Sequence, residues 1–405
     1  MAITTLGSGI QVLSESIPGV RSAAVGVWVP QGSAHDGEDV LGASHLLEHM
    51  VFRGTQHRSR EQIARALESL GGSLDAFTSR EHTSFQARVL DEHLPQALDV
   101  LADLVLFPTL LDKDLELERR VVLEEISTIE DAPEDFAFEL HGQHLWDRHP
   151  YGACILGTRD TVSAIGGDTL CDLHRGRYGA AGMVVAATGN VAHDQVVQLA
   201  EHYFRSAADG VPATPIPEPG SAEGREVHVR RETAQTHIVA GTVTPPRADR
   251  RRYALVLLAA AMGGGMSSRL FRRIREELGL AYSVYTFQSF YSRAGISGIY
   301  AGTRHDAAGQ VIDAIREELA AVARDGLPRE DLVQVKSQVK GQIMLSLESP
   351  GARLYRLAGF ALHQEPFTTL DELLSRIDRV TEAEVAESAA EFFHPDRQCL
   401  LRLGP

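Results

Sequence analysis

From Gly210 to Ser221 the chain reads Gly-Val-Pro-Ala-Thr-Pro-Ile-Pro-Glu-Pro-Gly-Ser, with four prolines and no hydrophobic period. Proline locks φ and donates no backbone hydrogen bond, so neither a helix nor a sheet ladder runs through such a segment. It predicts an interdomain linker over 210–224, between a domain at 1–209 and another at 225–405. The two halves look like copies of one plan. In the first, Leu67-Glu68-Ser69-Leu70-Gly71-Gly72-Ser73 leads to strands from Leu74 and over Thr83 to Leu90. A helix follows Leu94, then a longer helix carries Glu118 and Glu125. In the second, Arg275-Glu276-Glu277-Leu278-Gly279-Leu280 leads to strands from Ala281 and Gly295, a helix after Asp306 and a helix from Arg329 to Leu347. The repeated order suggests duplication.

Only the first half carries a metal motif. His45-Leu46-Leu47-Glu48-His49 places two histidines four apart, so on a helix of about 3.6 residues per turn they share a face and can hold one ion. Glu48 is badly placed as a third ligand but well placed to accept a proton from water beside the ion. Catalytic zinc takes three protein ligands, so one more must come from elsewhere. Glu125 is the candidate, with Glu118 behind it. They lie seven apart, nearly two turns, while Glu124 points about 100° away. One carboxylate can ligate and the other support the site from behind. The counterpart segment of the second half, Tyr253 to Gly265, has no histidine.

The order His-x-x-Glu-His is the inverted zinc motif. With Gly42-Ala43-Ser44 before it and Met50-Val51-Phe52-Arg53-Gly54-Thr55 after it, the chain resembles the pitrilysin, insulysin and mitochondrial-processing-peptidase family of zinc peptidases, the inverzincins. It is most similar to the single-length, bacterial processing-peptidase-like branch. The family's distal ligand lies in a Glu-Arg-x-Val-Val-x-x-Glu run, matched here by Glu118 to Glu125, so the resemblance implies Glu125 as ligand and Glu118 as its support. It also implies an α+β fold of two homologous α/β domains, each a mixed or antiparallel sheet covered by helices, only the first holding metal.

The same resemblance extends to Gly265-Met266-Ser267-Ser268-Arg269-Leu270-Phe271 and Arg275 to Val284. It implies that Arg275 and Tyr282 bind the substrate backbone and steady the oxyanion, each such donor being worth about 3 kcal/mol. It further implies that Ser73 to Ser79 is an edge strand on which Asp75, Ala76 and Phe77 receive an extended peptide by backbone pairing. Asp75 stands where the family commonly has asparagine. An ionised aspartate only accepts hydrogen bonds, so it would attract a basic side chain or a peptide N-terminus. In double-length relatives the metal lies in the first half and the arginine-tyrosine pair in the second. A chain of this length corresponds to one half and carries both, which implies a homodimer with two composite sites, or a heterodimer with a related subunit. The implied activity is a zinc metalloendopeptidase acting on peptides or unfolded N-terminal extensions, with one Zn2+ per chain. The alternative is a non-catalytic scaffold or partner subunit, although relatives of that kind usually lack ligands and this chain lacks none. Nitrogen and carboxylate ligands also suit cobalt or manganese.

Composition narrows the partners. A formal charge of −16 without a long basic run argues against nucleic acid and permits basic peptides. The longest apolar runs, such as Ala254 to Met262, fall short of the roughly 18 to 20 residues that span a bilayer, and no membrane association is expected. Met1 to Leu6 shows no basic segment followed by an apolar core, so the expected compartment is the cytoplasm. Cys154, Cys171 and Cys399 are scattered and read as reduced and structural. His141 and His144 with His149 lack an acidic third ligand and read as a polar helix face. Gly263-Gly264-Gly265 lacks the lysine and hydroxyl of a phosphate loop, and no Gly-x-Ser-x-Gly elbow is present.

Overall fold

The computed structural model describes residues 1–220 and 224–405. Residues 221–223 of the expected linker lie outside the described residues, and Gly210 to Gly220 form neither helix nor strand. The chain divides into two units, each with its own sheet.

The first unit comprises 1–127, 153–216 and 346–367. Its strands are β1 (Ala2–Thr5), β2 (Gln11–Ser16), β3 (Ser22–Val29), β4 (Ser73–Thr78), β5 (Thr83–Leu90) and β6 (Val184–Gly189), in the order β1-β2-β6-β3-β5-β4. β2 and β6 are parallel and the remaining pairs antiparallel, so the sheet is mixed. Strand side chains alternate between faces. On β3, Ala23, Val25, Val27 and Val29 face the main core with Leu46, Leu47 and Leu98, while Ala24 and Trp28 face the opposite way. That second face is covered by the helix Pro350–Leu362, whose Leu354, Leu357 and Ala358 pack on Leu13, Trp28 and Val184. Burial on both faces explains why β3 reads as an unbroken apolar run.

The second unit comprises 128–152, 217–345 and 368–405. It contains β7 (Glu226–Val229), β8 (Thr236–Thr244), β9 (Ala281–Phe290), β10 (Gly295–Thr303) and β11 (Cys399–Leu403), in the order β7-β11-β8-β10-β9. One parallel pair, β7 with β11, is followed by antiparallel pairs, which repeats the succession β2-β6-β3-β5-β4 of the first unit. The helix Arg252–Gly263 follows β8 as Ala43–Val51 follows β3. The outer face of this sheet is covered by the helix Pro133–Trp146, whose Phe136, Ala137 and Phe138 meet Val239, Tyr300 and Leu401.

Each half of the sequence therefore lends one proline-started helix to the other unit, so the units differ from the contiguous spans 1–209 and 225–405 by the exchange of 128–152 and 346–367. A proline-rich break marks where the chain can turn, but carries no information on which sheet face a distant amphipathic helix covers. Among the described residues no helix is long and apolar enough to cross a membrane.

Candidate metal centre

The helix Ala43–Val51 buries Leu46, Leu47, Met50 and Val51 in the first unit's core and turns His45 and His49 to its opposite side. Their rings lie edge to face, 4.6 Å between centroids. The helix starts at Gly42, with φ +91°, where the chain passes Gly157, with φ +79°. A Cβ on Gly42 would lie 2.4 Å from the Leu156 carbonyl oxygen, and one on Gly157 would lie 2.1 Å from that of Leu41. Only glycine permits both the left-handed backbone and this approach. Gly157→Ala is expected to cost about 3 kcal/mol or more of unfolding free energy, as strain adds to a backbone clash. Chemical denaturation measures it, and a loss below about 1 kcal/mol would show that the crossing relaxes freely.

The helix Asp112–Asp131 brings Glu118 and Glu125 to the histidines. Glu125 Oε2 lies 3.8 Å from His45 Nε2, and Glu125 Oε1 lies 3.7 Å from His49 Nε2. Ligand atoms of the three residues all fall within 4.8 Å of one another, the only such group of histidine, cysteine or acidic side chains among the described residues. Glu118 is buried and accepts from His49 Nδ1 at 3.0 Å while also pairing with Arg53. With its Nδ1 proton held there, His49 presents an Nε2 lone pair toward Glu125. The donor set fits a divalent ion of the zinc type, two imidazoles and one partly exposed carboxylate. His45 Nδ1 is buried without a hydrogen-bond partner.

Glu48 points elsewhere. Its Oε2 accepts from Thr78 Oγ1 at 2.6 Å, which ties the carboxylate to the end of β4. Burial raises the proton affinity of Glu48, against the pull of the Thr78 hydrogen bond and of His49. Burial also pulls His45 down to about 4, with His49 adding to the shift, so its imidazole is neutral. At His49 burial works in the same direction but is outweighed by Glu118, Glu125 and Glu48, and its pKa rises. Glu118 shows the converse: burial is overcome by hydrogen bonds from His49 and Arg53, which hold the carboxyl below its usual range.

β4 is the edge of its sheet, paired only with β5. Asp75 and Phe77 project to solvent, while Ala76 is partly buried on the core side. Arg275 and Tyr282 belong to the second unit, where they meet each other. Arg275 lies on a wide π-helical turn, Phe271–Glu277, and donates from Nη1 to the Tyr282 carbonyl oxygen at 2.9 Å. Its guanidinium stacks on Phe271 and Tyr282, 4.7 and 4.3 Å from the ring centroids. Tyr282 is 75% exposed.

In the second unit's helix Arg329–Ser346, the positions four and eleven beyond Asp331 are Val335 and Gln342, where Glu118 and Glu125 stand four and eleven beyond Asp114. That helix has lost both carboxylates, as Arg252–Gly263 has lost the histidines. His141 is buried and its Nε2 lies 3.0 Å from the Cys399 carbonyl oxygen; burial pulls it down to about 4, so it is a neutral packing residue. Thr78 had no sequence signal, because it meets Glu48 across a fold contact.

Two α/β units of one topology, one with an inverted histidine motif and a distal glutamate, define a duplicated metallopeptidase scaffold. Solved structures with the same fold include a peptidase M16 inactive domain from Pseudomonas fluorescens, with a TM-score of 0.94, 20% identity and coverage of 100% of this chain and 98% of that one. A protease from Helicobacter pylori gives a TM-score of 0.92 at 20% identity, covering 100% and 99%. Residues 11–159 match the insulinase family, peptidase family M16, and residues 164–339 match the peptidase M16 inactive domain. Similar sequences include an uncharacterized zinc protease of Mycobacterium leprae, 40% identical over 99% of this chain and 91% of the relative. Another, from Streptomyces coelicolor, is 38% identical over 99% and 89%, and a third, from Bacillus subtilis, is 37% identical over 97% and 95%. The chain belongs to the insulinase family of zinc peptidases, peptidase family M16, in its single-length bacterial branch.

Proposed function

We propose that this protein is a zinc metalloendopeptidase that hydrolyses peptides or unfolded N-terminal extensions of proteins. The observation that carries the reading is the convergence of His45 Nε2 and His49 Nε2 on the two oxygens of Glu125, with the Glu48 carboxylate on the same helix left free of that group. The names of the similar bacterial proteins agree with it. A divalent ion on His45, His49 and Glu125 would supply Lewis acidity, polarising a peptide carbonyl and making nearby water more acidic.

The chain's own groups do the rest. Glu48 takes a proton from the attacking water and passes it to the leaving amine, a role suited to a buried carboxylate of raised proton affinity held in place by Thr78. An extended peptide adds to the free edge of β4, which fixes its backbone and leaves side chains largely unread. Asp75, exposed on that strand, attracts a basic side chain or the peptide's N-terminal amine. Arg275 and Tyr282 bind the substrate backbone and stabilise the oxyanion, contributed by a second copy of the chain or by a related subunit. Tyr282 is exposed enough to do so.

The test is zinc content together with cleavage of a mixed pool of unfolded peptides. About one zinc per chain and chelator-sensitive internal cleavage are expected. Zinc without cleavage would point to a missing partner subunit, and absence of zinc binding would favour the scaffold reading.

A further inference from the structure

The helix bearing both histidines lacks a cap of its own, since Gly42 has no side chain to satisfy the first backbone N–H groups. The missing acceptor comes from six residues upstream. Asp36 Oδ2 accepts from the backbone N–H of Gly42 at 3.1 Å and of Ser44 at 3.2 Å, and Asp36 Oδ1 accepts from Ser44 Oγ at 2.6 Å. Ser44 Oγ in turn accepts from Gln31 Nε2 at 3.0 Å, and Ser44 and Gln31 are both buried. A carboxylate at this end of a helix also faces the positive pole of its dipole. Burial pushes the Asp36 carboxyl up to about 6, against the hydrogen bonds from Ser44 and Gly42.

The two histidines differ in how they are held. His49 is oriented through Nδ1 by Glu118, which is itself paired with Arg53, whereas His45 Nδ1 has no partner. No hydrogen bond at Nδ1 orients the His45 ring, and the residue immediately before it on the helix is Ser44. We propose that Asp36 is a positioning residue for the metal centre, anchoring the first turn through Gly42 and Ser44 so that His45 Nε2 is aimed at the ion. Glu118 does this for His49 through the ring, and Asp36 does it for His45 through the backbone. The proposal rests on the metalloenzyme reading above.

The experiment compares wild type, Asp36→Ala, Asp36→Asn and Ser44→Ala. Its readouts are the zinc dissociation constant by chelator competition, the absorption bands of the cobalt-substituted protein and the unfolding temperature without metal. Asp36→Ala is expected to weaken zinc at least tenfold and to shift the cobalt bands, because one ligand is misaimed while the coordinating atoms are unchanged. Asp36→Asn keeps an acceptor for the two N–H groups and should recover most of the affinity. Ser44→Ala removes the hydroxyl that links Asp36 to Gln31 but leaves both backbone N–H groups on the Asp36 carboxylate, and should weaken zinc by a few fold. Zinc affinity and cobalt bands unchanged in both Asp36→Ala and Ser44→Ala, whatever the unfolding temperature, would reduce Asp36 to a stabilising cap and overturn the proposal. Failure of the wild type itself to bind zinc would instead overturn the metalloenzyme reading, and this proposal with it.

Discussion

Glu48→Gln is expected to lower peptide turnover by about a thousandfold while leaving about one zinc per chain and the unfolding temperature unchanged. Glutamine has the shape of glutamate and its amide oxygen can still accept from Thr78 Oγ1, so the end of β4 stays tied to the helix. It cannot take a proton from water. None of the ligand atoms that converge on Glu125 belongs to Glu48, so zinc content should not fall. The comparison is between kcat values of zinc-loaded wild type and variant, with metal analysis on the same samples. Turnover within about tenfold of wild type at full zinc occupancy would remove Glu48 from its role as base.

Mixing two inactive variants is expected to restore activity. Under the proposed mechanism Arg275→Ala and Tyr282→Phe each remove one donor to the oxyanion, an effect of about 3 kcal/mol or about a hundredfold in kcat. Neither should disturb folding, because Tyr282 is largely exposed and Arg275 lies at the surface. If each site takes its metal from one chain and its pair from the other, a dimer of Glu48→Gln with Arg275→Ala has one dead site and one with every group intact. Equal mixing makes about half of all dimers of this kind, so about a quarter of wild-type activity should return. Mixed dimers observed by native mass spectrometry without regained cleavage would show that the pair serves its own chain, or that the natural partner is another subunit.

The legible part of the centre shares one property, closeness along a helix. His45 and His49 are four apart, and Glu118 and Glu125 seven apart, so helical periodicity alone put each pair on one face. Strand positions were legible for a similar reason: the segment read as Thr83 to Leu90 is β5, and Ala281 and Gly295 begin β9 and β10. The helix after Asp306 is Ala308–Asp325, and the one from Arg329 ends at Ser346. The copying of one plan was visible in element order, and the sheets show it again as one parallel pair followed by three antiparallel pairs.

What escaped the sequence has no period to betray it. Thr78 meets Glu48 across 30 positions, Gly157 passes Gly42 across 115, and Asp36 reaches over a loop to cap a helix that begins beside a glycine. Each contact exists only because the sheet brings remote segments together. The exchange of Pro133–Trp146 and Pro350–Leu362 is the largest instance, since an amphipathic helix specifies that it needs an apolar face and leaves open which one. The sequence by itself determined which candidate side chains share a helix face, His45 with His49 and Glu118 with Glu125, because that follows from spacing within one helix. The tertiary structure decided how these helices are aimed at each other, which carboxylate faces both histidines and which holds one from behind, because that depends on contacts between elements far apart in the chain.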